Sequence, residues 1–152
     1  MSLDGEGMAM GETANAASVP GWFWAGGVAV LLWEALGCFM YVSQVTTNPA
    51  TLPHDQRAIW TAAPAWMIGA YALAVWVGLA GAVLLLMRRR LSVAVLLTSL
   101  IAVIVQFSAL LIVSQLRESI SSDALALPIV ILLAGYGAWQ FAKLAMRRGW
   151  LR

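Results

Sequence analysis

Four apolar stretches, each long enough to cross a lipid bilayer as a helix, leave this chain of 152 residues almost no alternative fold. They run over Trp22–Val45, Pro64–Met87, Leu91–Ser114 and Leu125–Met146. Each supplies the ~20 apolar residues needed to span a hydrocarbon core ~30 Å thick. With no water in that core, a spanning segment must satisfy its own peptide groups, and a helix does so. The predicted fold is therefore an all-α, polytopic membrane bundle of four transmembrane helices. The spans take up nearly all of residues 21–152, which read as one domain with no room for a soluble catalytic module. Composition agrees, since 11% of the residues are charged where a soluble domain carries about 25%.

Residues 1–20 differ from the rest. They are small, polar or acidic, with Asp4, Glu6 and Glu12 and no basic residue. A secretory signal would have a positive start and a shorter apolar run, so the first span is expected to remain as a helix behind a disordered leader. Basic residues set the orientation. Arg88, Arg89 and Arg90 fill one link, and Lys143, Arg147, Arg148 and Arg152 surround the end of the fourth span. The other links hold Arg57 and Arg117, a seven-to-two asymmetry. The positive-inside rule then predicts that both termini and the leader are cytoplasmic, in what is read as a bacterial inner (plasma) membrane. The calculated pI near 9.1 reflects these flanking residues, and no nucleic-acid partner is expected.

Aromatic residues mark the predicted boundaries, because rings with one polar edge favour the membrane interface. Trp22, Trp24 and Trp150 fall at the inner side, and Tyr41, Trp60 and Trp66 at the outer. Trp33 and Trp76 fit lipid-facing bulk. The longest outer link, residues 46–63, contains an Asn48-Pro49 turn signal and reads as a turn followed by a short interfacial helix. Thr51 is its expected cap, and Pro53 its expected first turn. His54, Asp55, Gln56 and Arg57 either form a solvated loop or line the outer mouth of a cavity.

Glu34 is the outstanding residue. It lies mid-span in LLWEALGCFMY with no charged neighbour in sequence, where an ionised side chain costs on the order of 3 kcal/mol. Helical spacing gives it a face shared with Gly27, Leu31, Cys38 and Tyr41, and with Gln44 or Val45 one turn further. At ~1.5 Å per residue from the basic ends, Glu34 lies about 18 Å deep, Gln106 about 22 Å, Tyr71 about 24 Å and Tyr136 about 15 Å. Every helix thus offers a polar group near one level. Glu34, Gln106, Tyr71, Tyr136 and Trp76 are the candidate binding or proton-relay residues. The competing reading is structural: a protonated Glu34 hydrogen-bonds Gln106 or a tyrosine and helps helices choose partners, worth about 0.6–2 kcal/mol.

Small residues indicate packing. Ala74, Gly78 and Ala82 recur every four residues with Gly81 beside them, a stripe that admits a close neighbouring helix. Gly135 and Gly137 suggest the same for the fourth span. Ser92, Ser99 and Gln106 recur every seven residues, which predicts a buried face on the third.

WEALG, PAWMIGAYALAVWVGLAGAVLLLMRRR and LSVAVLLTSLIAVIVQ together resemble a family of small, largely uncharacterised bacterial four-helix membrane proteins sometimes labelled sugar transporters. The resemblance covers nearly all the chain beyond the leader and implies a transport role. Members often have an amide where Glu34 stands. Glu34 followed by Gly37 is also similar to the first helix of small multidrug-resistance transporters, whose central glutamate exchanges protons for cationic drugs. The other helices lack that pattern, so the likeness is one of arrangement.

Two functional classes follow: a small permease or transport component with Glu34 at its site, or a non-transporting accessory subunit that packs against a larger membrane complex. Homo-oligomers fit either. One cysteine, Cys38, precludes an internal disulfide, a CxxC pair and a cysteine-rich zinc site. No nucleophile–base pair, phosphate loop or metal cluster is visible, so neither an enzyme nor a cofactor is expected.

Overall fold

A computed structural model describes residues 19–114, 116 and 125–152, with the side chains of 55, 56, 58 and 59 set aside. The leader's disorder and the placement of Arg117 fall outside these residues, as do the Asp55 and Gln56 side chains. The described residues are all helical, without strands. The order is α1 (Gly21–Thr46), a short 3-10 turn (Pro49–Thr51), α2 (His54–Ala62), α3 (Ala65–Leu86), α4 (Leu91–Ile112) and α5 (Ala126–Arg147). Helices α1, α3, α4 and α5 are long and apolar enough to cross a membrane. Their bounds fall within two residues of the spans read from sequence.

The helices run up and down. The α3–α4 turn, the start of α1 and the end of α5 share one end, called the basic end below. Helix α4 packs extensively on both α3 and α5, α3 also packs on α1, and α1 meets α5 sparsely. Small residues explain the tightest seam. Ala74, Val75, Gly78, Gly81, Ala82 and Leu85 form the buried face of α3. Leu96 of α4 lies so near Gly81 that a Cβ there would come within 2.8 Å of it. Ser92, Ser99 and Gln106 are all buried on α4, as their seven-residue period implies. Gly135 of α5 likewise faces Leu100, but Gly137 has open space around it and takes no part in packing.

The basic end is closed by two helix endings of one kind. At α5, Gly149 adopts φ 71°. Its N–H bonds Met146 O at 3.0 Å, and the Trp150 N–H bonds Ala145 O at 3.0 Å. This left-handed ending reverses the chain and satisfies carbonyls that the helix leaves free. At α3 the same pair of bonds runs from Arg88 to Leu85 O and from Arg89 to Leu84 O, both at 2.9 Å. Here the left-handed position is Arg88, φ 59°, which costs a non-glycine residue about 1–2 kcal/mol. Pairing with the tail offsets that cost: Arg88 Nε donates to Trp150 O at 2.7 Å, and the Arg152 N–H donates to Arg88 O at 2.6 Å. Trp150 and Leu151 are thereby tucked into a core with Phe23, Leu85, Leu96, Ala142 and Ala145. Trp150, 5% exposed, is a core residue and not the interfacial belt residue expected from its position.

The link at the far end also departs in detail. Asn48 caps the 3-10 turn, its side chain accepting from the Ala50 N–H at 3.0 Å, and Thr51 ends that turn, its hydroxyl donating to Asn48 O at 2.7 Å, so Thr51 does not cap α2. Pro53 precedes α2 and accepts from the Arg57 N–H at 2.9 Å. The Arg57 side chain folds back onto the carbonyls of Pro49, Ala50 and Leu52. It braces the turn and does not line a cavity mouth. Tyr41 packs edge-on against Tyr71, centroids 5.2 Å apart, which ties α1 to α3.

Candidate functional site

Helices α1 and α5 are held together at the basic end by rings: Phe23 stacks on Phe141 at 5.8 Å, and Trp22 meets Phe141 and Trp150 edge-on at 5.9 and 5.0 Å. Gly26 permits this approach, since a Cβ there would come within 2.6 Å of the Phe141 ring. Beyond that contact lies a cavity of about 630 Å³ between α1, α3, α4 and α5. Its walls are mainly apolar, with Trp33, Met40, Val103, Phe107 and Ile131 among them. Its polar groups are Glu34, Gln44, Tyr71, Ser99 and Gln106.

Glu34 reaches the cavity because its face of α1, with Gly27 and Cys38, is the buried one. The close approach of α3 comes from glycine: a Cβ on Gly78 would overlap the Glu34 carboxyl and lie 2.8 Å from Ser99 Oγ. Two neighbouring polar groups, Ser99 and Cys38, are bonded to backbone. Ser99 Oγ donates to Ala74 O at 2.7 Å, and Cys38 Sγ donates to Val75 O at 3.3 Å. These bonds tie α4 and α1 to α3 and fix the walls. Among the described residues, the Glu34 carboxyl and the Gln106 amide have no hydrogen-bond partner, though they are 8% and 9% exposed. Their polar atoms are open to the cavity; the enclosed side-chain atoms without a partner among the described residues are Ser92 Oγ and Trp139 Nε1.

The expected mid-membrane layer is thus partly assembled. Glu34, Gln106 and Tyr71 line one cavity. Tyr136 and Trp76 do not; they face outward, 48% and 51% exposed. Depth along a helix places a residue on a rung but leaves its rotation open, and Tyr136 lies on the side of α5 away from buried Ala138, Ala142 and Ala145. Its hydroxyl accepts instead from Gln140 Nε2 at 2.5 Å on the outer face. Trp33, expected to face lipid, is exposed and also borders the cavity. Phe107 and Ile131 were not singled out in the sequence, because an apolar residue in a span carries no signal distinguishing a cavity wall from lipid contact. Ser99 was visible through its spacing, though only as a packing residue.

Chemically, the site offers a carboxyl and a primary amide, both with unused hydrogen-bonding capacity, in apolar surroundings. It could hold a solute with a polar or protonated group and an apolar body. No group of three or more metal-ligating side chains occurs among the described residues. No protein family matches the chain, and no match is found among curated proteins or solved structures.

Proposed function

We propose that this multi-pass membrane protein is a small permease, or the transport component of one, in the bacterial inner membrane with both termini cytoplasmic, and that the Glu34 cavity is its binding site. The observation that carries the reading is a carboxyl and an amide, Glu34 and Gln106, that face one cavity in the bundle and make no hydrogen bond to the protein. A purely structural Glu34 would be bonded to a neighbouring helix, as Ser99 and Cys38 are. The mainly apolar lining favours a solute with an apolar body over a sugar, whose hydroxyls would each need a partner.

The test compares wild type with Glu34→Gln in proteoliposomes, measuring proton movement and uptake across a panel of solutes. Gln keeps the shape but cannot ionise, so solute-dependent proton flux should vanish while insertion and folding persist. Equal flux in both proteins would sink the proton-coupled reading. Reporter fusions at the C-terminus and within residues 50–56 test the orientation, which requires the first to be inside and the second outside.

A second reading, a non-transporting accessory subunit, draws on the sparse contact between α1 and α5. The opening between them could receive a helix of a larger complex. Co-purification with a stoichiometric membrane partner, together with absence of flux from the isolated chain, would favour it.

A further inference from the structure

We propose that the junction between the α3–α4 turn and the 149–152 tail is a binding site for the phosphate headgroup of an acidic phospholipid. Four arginines meet there, Arg88 and Arg90 from the turn, Arg148 just past α5 and Arg152 in the tail itself. Arg88 Nε donates to Trp150 O at 2.7 Å, and Arg90 Nε donates to Leu151 O at 3.4 Å. The Arg148 guanidinium lies over the Trp150 ring, 5.4 Å from its centroid. Arg152 is paired through its main chain, donating to Arg88 O at 2.6 Å and accepting from the Arg90 N–H at 3.0 Å.

These contacts hold the side chains while consuming little of their bonding capacity. A guanidinium carries five N–H donors, and here Arg88 and Arg90 each commit one. The terminal nitrogens remain available in the planar fork that matches phosphate oxygens. Among the described residues, no acidic side chain forms an ion pair with any of them; the acids there are Glu34, inside the bundle, and Asp55, in the link at the far end. Among the described residues no acidic side chain offsets these like charges, so the arrangement favours an anion. Arg90, Arg148 and Arg152 are exposed, where the four spans end and lipid headgroups begin. The apolar floor of Trp150 and Leu151 is already filled by the core, so the junction presents charge and not a pocket for an acyl chain. A phospholipid headgroup meets these requirements, with its chains in the neighbouring bilayer. Diffuse attraction to anionic lipid would involve Lys143 and Arg147 equally. The proposal is narrower and places the site at the tail.

The experiment uses the full chain in nanodiscs of phosphatidylcholine containing a minor fraction of phosphatidylglycerol, followed by native mass spectrometry of retained lipid. Wild type should retain phosphatidylglycerol over phosphatidylcholine. The double variant Arg148→Gln/Arg152→Gln, whose lost side chains make no hydrogen bond in the fold, should lose this retention by about tenfold. Arg90→Gln should reduce it as well, whereas the charge-matched control Lys143→Gln/Arg147→Gln should leave it within roughly twofold of wild type. Equal losses in the two double variants would overturn the site in favour of diffuse charge. Displacement of the lipid by millimolar inorganic phosphate would overturn the lipid as its source. If retention appears only after Asp4, Glu6 and Glu12 are changed to amides, the leader is the occupant and the proposal falls.

Discussion

The two ends of the bundle solve the same packing problem in opposite ways. At the basic end, residues distant in sequence close a core of Phe23, Leu85, Leu96, Trp150 and Leu151, sealed by left-handed helix endings and main-chain pairing. Further along, α1 and α5 no longer hold each other, and between the helices lies a cavity faced by a carboxyl and an amide that bond no protein group. The larger core closes the basic end, while beside the cavity a smaller one of Ala74, Ala102 and Val103 holds α3 and α4 together. A side chain at the basic end is worth what it fills, whereas one facing the cavity is worth what it can bind.

The contrast breaks most visibly at Trp150. Trp150→Ala should destabilise the protein by about 3–5 kcal/mol, read as a large drop in thermal unfolding temperature in detergent. A change below about 1 kcal/mol would mean that the tail is only laid on the surface. Gly78→Ala comes next, on the seam between the two regions. Its Cβ would displace the Glu34 carboxyl, and overpacking of this kind costs about 1–3 kcal/mol. Because the carboxyl can swing into the cavity, the lower part of that range is expected, with loss of solute-dependent flux as the larger consequence. The third test is Glu34→Leu, which should be neutral or stabilising by up to about 1 kcal/mol, since it removes a buried group that lacks a partner. Destabilisation comparable to a lost interhelical bond would show that Glu34 is scaffold after all. The smallest loss of stability belongs to Ser99→Ala, which removes the bond to Ala74 O and should cost about 0.6 kcal/mol.

What could be read from the sequence depended on whether the signal was periodic. The α1 face of Gly27, Glu34 and Cys38, the Ala74–Gly78–Ala82 stripe and the Ser92–Ser99–Gln106 spacing all lie buried as their periods imply. Rotation between helices was not legible, so Tyr136 and Trp76 shared a depth with Glu34 while facing elsewhere. The burial of Trp150 could have been found. A glycine just after a basic helix terminus signals a left-handed ending, and such an ending turns the following residue back onto the helix. The cavity itself leaves no trace in an apolar sequence, since a wall residue and a lipid-facing residue obey the same composition rule.

The core at the basic end also imposes an order of events. Each span can insert into the bilayer by itself, because its backbone is satisfied within the segment. Phe23, however, gains its partner Trp150 only after all four spans have been threaded. Until then the Arg88 turn lacks the tail that offsets its strained backbone. This closure between α1 and the residues after α5 can form only once α5 is in place, and a chain interrupted within α5 would leave Trp22 and Phe23 without Trp150, their aromatic seam open to lipid and to quality control.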